Sequence, residues 1–307
     1  MTFLNILKQS FSTIFTPLVI VLALWATPLH AEEPASPALW KLTDADSEVW
    51  LFGTIHILDP NVSWHSEKVS TAFNEAEFLM LEAPVLETPP ETMQQIVMKY
   101  ARNPSGVTLS SLLSQAGNKK IIEALVSFGV PENQALAMRQ QFEPLRPWIV
   151  GLQLGNMQMQ SRGADPSAGV ETILTEAAKD AGKQLRFLET VEAQIRVFAD
   201  LSSETETRML EESLAQMLET PDLLDGLVHD WRKGKAEEVG EALQAALQDP
   251  EVYTALLTNR NQDWARQIKT IMDGAGKYFI AVGTGHLVGK NSVQDFLKLH
   301  GLNAVRQ

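Results

Sequence analysis

Lys277-Tyr-Phe-Ile-Ala-Val-Gly283-Thr-Gly-His286 is the most strand-like run in the chain. Aromatic and β-branched residues, uncharged after Lys277 and stopped by glycine, predict a strand over 277–283 that turns sharply at its carboxyl end. A second run of the same kind, Val49-Trp-Leu-Phe-Gly-Thr-Ile-His56, lies near the other end of the sequence. Shorter strands are expected at Glu77-Phe-Leu-Met-Leu-Glu82, closed by Pro84, and at Gln184-Leu-Arg-Phe-Leu-Glu189. The stretches between them read as helix. Residues 91–162 are helical with breaks at Pro104, Gly129-Val-Pro131, Pro144 and Pro147, and further helices are expected over 169–181, 202–218, 236–247, 250–273 and 292–300. Strands separated by helices predict an α/β protein, a central mixed sheet with helical insertions, and not an all-β protein or a bundle.

The chain has 307 residues, 45% hydrophobic and 21% charged, which suits a folded protein with a substantial core. Twenty-five Lys and Arg stand against 38 Asp and Glu, a net charge of −13. That field repels a nucleic-acid backbone, and no basic cluster offsets it locally. With no cysteine there is no disulfide scaffold, thiolate metal site or thiol nucleophile, so a metal would have to be held by His, Asp and Glu. P-loop, Gly-x-Gly-x-x-Gly, Gly-x-Ser-x-Gly and His-Glu-x-x-His motifs are all missing from the sequence.

The first 31 residues differ from the rest. Lys8 is the only charge before Glu32, Leu18–Trp25 is continuously apolar, and Ala31 precedes the first acids. This is the layout of a secretory signal peptide cleaved after Ala31, and the apolar run is far short of the ~20 residues a membrane span needs. The expected product is residues 32–307, one α/β domain with a helical insertion at about 91–165, periplasmic or secreted and without a stable membrane span.

Two strands therefore end in one pattern, Gly53-Thr-Ile-His56 and Gly283-Thr-Gly-His286. Glycine turns the backbone at the carboxyl edge of a strand, and the histidine three residues on points into the crevice where α/β sheets bind ligands. A lone histidine of this kind is most often structural; a matched pair points to a shared site. Glu82 closes the second strand on the same edge and completes two imidazoles and one carboxylate, a common hydrolytic donor set. Glu189 closes another strand and is a second acid, as ligand or as general base. Glu171 begins a helix after Gly169, where a first-turn acid also suits the helix dipole. Arg260, in Asn259-Arg-Asn-Gln-Asp-Trp264, either sits on a solvated face or pairs with a site carboxylate. His65, His229 and His300 read as structural, and Met157-Gln-Met159 as packing.

Phe52-Gly-Thr-Ile-His56, Leu81-Glu-Ala-Pro84, Leu145-Arg-Pro-Trp148, Gly169-Val-Glu171, Leu188-Glu-Thr-Val-Glu192, Asn259-Arg-Asn261 and Val282-Gly-Thr-Gly-His-Leu-Val-Gly289 occur in the order found in the TraB/PrgY/GumN family, which the chain resembles from about residue 40 onward. That family is similar to the Tiki metalloproteases, and the resemblance implies an EreA/ChaN-like fold. It also implies a divalent-metal peptidase in which His56 and His286 and a glutamate, matched here to Glu82, hold manganese or cobalt, with zinc or iron as alternatives. Glu171 departs from the pattern, where aspartate is more usual.

The expected activity is thus an exported metal-dependent hydrolase, a peptidase on peptide or unfolded protein. His56, Glu82 and His286 would be the metal ligands, Glu189 or Glu171 the base, and Arg260 the group that orients substrate or carboxylates. The alternative is a non-catalytic binding protein that sequesters a peptide, metal or haem in the same crevice. The oligomeric state is not readable from the sequence.

Overall fold

The structure is a computed structural model that describes residues 34–307. The signal-peptide expectation for residues 1–31 lies outside them. None of the helices among the described residues is long and apolar enough to cross a membrane.

Six strands, β1 (Leu39–Thr43), β2 (Ser47–Thr54), β3 (Phe78–Leu81), β4 (Gln184–Phe187), β5 (Gly276–Gly283) and β6 (Val305–Arg306), form one mixed sheet in the order β4-β3-β5-β2-β1-β6. The four strands β4, β3, β5 and β2 run parallel, and β1 is antiparallel to both β2 and β6. The α/β class with a helical insertion is as predicted. All four predicted strands are present; β5 ends at Gly283 as predicted, and the other three end one or two residues early, so that His56, Glu82 and Glu189 lie just beyond the last paired residue. β1 and β6 were not anticipated. They extend the sheet beyond β2 as antiparallel strands with β6 at the edge, and a two-residue strand leaves no periodicity to read.

The helices in chain order are α1 (Glu67–Glu75), α2 (Pro90–Tyr100), α3 (Leu109–Leu112), α4 (Gln115–Ser127), α5 (Glu132–Gln141), α6 (Pro147–Ser161), α7 (Val170–Asp180), α8 (Val191–Ala199), α9 (Ser203–Glu219), α10 (Leu223–Arg232), α11 (Ala236–Ala246), α12 (Pro250–Tyr253), α13 (Asn259–Met272) and α14 (Val293–Leu299). Central strands show why the sequence looked continuously apolar there: both faces are covered. Trp50 and Phe52 of β2 and Phe279 and Ala281 of β5 pack with residues of α1, α7 and α10 on one face. Val49, Leu51, Ile280 and Val282 pack with residues of α13 and α14 on the other.

The insertion has a core of its own, built from Leu109, Ile121, Leu125, Phe142, Val150 and Leu154. Leu210 and Leu214 of α9 join that core, so the helical layer recruits a helix from well beyond residue 165. Arg146 of the Leu-Arg-Pro-Trp motif is one of its bolts. The guanidinium donates to the buried carboxylate of Glu206, through Nε at 3.1 Å, and to the Ala199 carbonyl at 2.8 Å.

Candidate functional site

β5 lies between β3 and β2, so the chain order reverses around it, and the crevice of an open α/β sheet forms at the carboxyl ends of strands flanking such a reversal. Every sequence-derived candidate is at this edge. Parallel register sets Thr54 of β2 opposite Gly283 of β5, which places the two Gly-Thr-x-His motifs side by side with a stagger of one residue. Glycine at 53 makes the contact feasible, because a Cβ there would lie 2.8 Å from Thr284 Oγ1. The Gly53 carbonyl is held from the other side by the buried indole of Trp231, whose Nε1 donates to it at 2.8 Å.

His56 sits in a bend past β2, and its Nδ1 is 2.7 Å from Glu171 Oε1, which also accepts from the buried Thr54 hydroxyl. Gly169 brings α7 to this position. Its hypothetical Cβ would fall 2.0 Å from the His56 carbonyl oxygen, so only glycine lets the helix start close enough for Glu171 to reach the ring. The Val170 N–H donates to the Ile55 carbonyl at 3.1 Å and closes the joint. Glu171 raises the His56 pKa to about 9, more than burial lowers it. The outer part of the ring remains open to solvent, with 65% of the side chain accessible.

His286 ends a one-turn 3₁₀ helix, Thr284–His286, and is buried. Its Nδ1 is 2.6 Å from Asn261 Oδ1, and the Asn261 amide donates to the Asn291 carbonyl at 2.7 Å. The carboxamide orientation is thereby set, so Nδ1 carries the proton and the Nε2 lone pair turns inward. Burial pushes its pKa down to about 3, so the ring is neutral at ordinary pH.

Glu82 links the two histidines. Its Oε1 accepts from the Gly283 N–H at 2.7 Å and stands 3.8 Å from His286 Nε2; its Oε2 accepts from Gln194 at 2.8 Å and Arg260 at 2.7 Å. Burial opposes ionisation of Glu82, yet neighbouring positive charge and the Gly283 N–H hold its pKa below the ordinary carboxylate value. A neutral His286 adds no charge to that balance, so the lowering rests on Arg260, His56 and the backbone donor. Gly283 also leaves a hollow: a Cβ there would be 3.2 Å from Glu82 Oε1 and 3.4 Å from His56 Nε2.

Arg260 closes the cluster. Nε is 2.9 Å from Glu189 Oε1, NH2 bridges Glu82 and Glu189, and NH1 is 3.1 Å from His286 Nε2. The guanidinium lies over the Trp264 ring, whose Nε1 donates to Glu189 at 2.8 Å. A π-helical segment, Thr254–Thr258, immediately precedes α13, and its Leu256 carbonyl accepts from Arg260. With Arg260 and Trp264 on both its oxygens, Glu189 anchors the arginine; it is not placed beside His56.

All six predicted residues thus meet at one edge, as a buried Glu82–Arg260–Glu189–His286 group adjoining an open His56–Glu171 pair. The donor set matches a divalent ion in kind: each imidazole is held at Nδ1 by an oxygen acceptor, and a carboxylate lies between them over the Gly283 hollow. In the described arrangement, however, no three His, Asp or Glu side chains among the described residues stand in a geometry that holds an ion, and Arg260 occupies the His286 lone pair. Sequence reasoning missed Gln194 and Trp264. Trp264 could have been found from its four-residue spacing to Arg260, which puts both on one face of α13; Gln194 carries no such signal.

The profile of the TraB/PrgY/gumN family matches residues 38–306. The chain belongs to that family. Among curated proteins it is similar to the uncharacterized protein YbaP of Escherichia coli K12 and to that of Shigella flexneri, each 23% identical over 280 residues that cover 91% of this chain and 98% of the relative. No solved structure matches. The family match covers nearly all of the described residues, so the edge cluster lies inside the matched region.

Proposed function

We propose that this family member is an exported, divalent-metal-dependent hydrolase acting on peptide or unfolded protein. One observation carries the reading: two imidazoles from opposite ends of the chain, each tied at Nδ1 by an oxygen acceptor, flank one ionised carboxylate, whose Oε1 is 3.8 Å from His286 Nε2 and shares with His56 Nε2 the hollow over Gly283. His56, Glu82 and His286 are the residues that would hold the ion. Bound there, manganese or cobalt, or alternatively zinc or iron, would polarise a scissile carbonyl and acidify a water. Similarity of the motifs to Tiki metalloproteases supports peptides as substrates.

The rest follows from the chain's own groups. Glu171 holds the Nδ1 proton of His56 and orients Nε2 inward. Glu171 lines a pocket at the site and its other oxygen takes no hydrogen bond from a described residue, which suits it to accept a proton from an attacking water. Glu189 and Trp264 fix Arg260, whose guanidinium orients Glu82 and can shift to a developing oxyanion. A second reading, binding without turnover, draws on the closed Arg260–His286 contact.

The test is metal content and peptide cleavage of the purified protein, with added manganese or cobalt, for wild type, His56→Ala and His286→Ala. Loss of cleavage in both variants is expected; unchanged cleavage in both refutes the reading. Stoichiometric ligand retention without turnover would favour binding. For export, N-terminal sequencing of the periplasmic protein should begin at Glu32.

A further inference from the structure

A pocket of about 340 Å³ opens at the site; His56, Glu82 and Glu171 line it, and the rest of its lining has no part in the chemistry above. Leu81, Ala83 and Phe187 contribute apolar wall from the ends of β3 and β4, and Thr172 and Thr175 of α7 add to the lining. Leu81 and Phe187 are register partners on adjacent parallel strands, so their side chains stand together on one face. Val85 and Leu86, on the loop that leaves β3, are 48% and 49% exposed, two apolar side chains half in water with the pocket beneath them. Charge in the lining is acidic or already paired: His56 with Glu171, and Glu87 with Lys179 at 2.6 Å.

We infer that this pocket takes one bulky apolar side chain, of leucine to phenylalanine size, from a peptide whose neighbouring carbonyl lies over the Gly283 hollow, and that Leu86 and Phe187 set the preference. The inference rests on the peptidase reading for its substrate and adds the residue class next to the bond cut. Size agrees, since 340 Å³ is at the lower end of the roughly 300–1,000 Å³ of small-ligand sites and admits a side chain but no folded segment. Continuity agrees, because His56, Glu82 and Glu171 line the same space. Charge agrees as well: an acidic side chain would meet Glu82, Glu87 and Glu171 with no unpaired cation in the lining. A lysine would have to set its ammonium against Leu81 and Phe187 or break pairs already made.

Two readouts on the intact protein test this. In the metal-free protein, binding of N-acetyl amides of phenylalanine, leucine, alanine, aspartate and lysine is followed by ligand-observed NMR. Phenylalanine and leucine should bind at least about tenfold more tightly than the other three. Thr172→Trp, which fills the pocket, and Leu86→Asp, which charges its mouth, should each remove that advantage while leaving the thermal melt near wild type. Equal binding of all five amides, or a preference untouched by both substitutions, overturns the inference. Separately, cut sites in a mixed peptide library with manganese should be enriched in bulky apolar residues next to the cut. Selective binding without any cleavage keeps the pocket and removes the peptidase reading; cleavage without apolar selectivity in either readout does the reverse.

Discussion

The same four-letter ending, Gly-Thr-x-His, produces two imidazoles of opposite character. His56 is open to water and beside a carboxylate, with its pKa raised to about 9; His286 is buried on Asn261 and an arginine, with its pKa lowered to about 3. Because the folded value for His56 exceeds its ordinary 6.5, the pair with Glu171 adds stability that is complete below about pH 6.5 and lost as pH rises through 9. In metal-free protein the His56 ring protons should titrate near pH 9 by NMR, and Glu171→Gln should return the midpoint toward 6.5. An ion at His56 must displace that proton, so manganese affinity should climb with pH up to about 9; a flat profile would show that His56 is not a ligand. Arg260 is the second informative residue. Arg260→Gln leaves Glu82 and Glu189 buried without their cation and should cost about 3–5 kcal/mol in urea unfolding. If the carboxylates and His286 can hold an ion, manganese should restore part of that loss.

Among the elements, α7 is the one whose placement sets the site. Its start at Val170 is pressed against the end of β2, and Gly169 is the contact that permits it. Gly169→Ala would put a methyl group 2.0 Å from the His56 carbonyl, so the helix must retreat. A loss of about 1–3 kcal/mol is expected from the overpacking, together with a His56 midpoint displaced toward 6.5 as Glu171 withdraws. Denaturant unfolding and the same NMR titration measure both. The sequence marked the Gly169-Val-Glu171 step and both bends after β2 and β5, since glycine at a strand or helix boundary is a local signal. It left Glu171 divided between dipole partner and site residue, because its pairing with His56 depends on how far one element slides along another. The insertion was legible as helix for the same local reason. That α9 completes its core was not, since the apolar spacing of Leu210 and Leu214 names a buried face and no partner.

Across the chain as a folding unit, a metal site formed by residues 56, 82 and 286 would tie β2, β3 and β5 together and exist only when the sheet is formed. An ion present at about 100 times its Kd would then stabilise the protein by about 2.7 kcal/mol through mass action. For a domain of this length that is a rise of roughly 5–10 °C in Tm. Manganese should produce this shift in wild type and not in His286→Ala, as read by scanning calorimetry. Magnesium at equal concentration controls for general attraction to a chain of net charge −13. No shift with manganese, cobalt or zinc would remove the metal from the proposal and leave the charge-paired cluster as a structural one.

Alternation and glycine stops were enough to read four strands, the helices between them and six candidate residues, because strand period, turn conformation and helix periodicity arise within a few neighbouring residues. Strand order, the one-residue stagger between β2 and β5, and the insertion of Arg260 between Glu82, Glu189 and His286 come from packing among segments far apart in the chain. Burial and charge neighbours, which make one imidazole basic and the other neutral, are properties of that packing and have no trace in the motif that both histidines share.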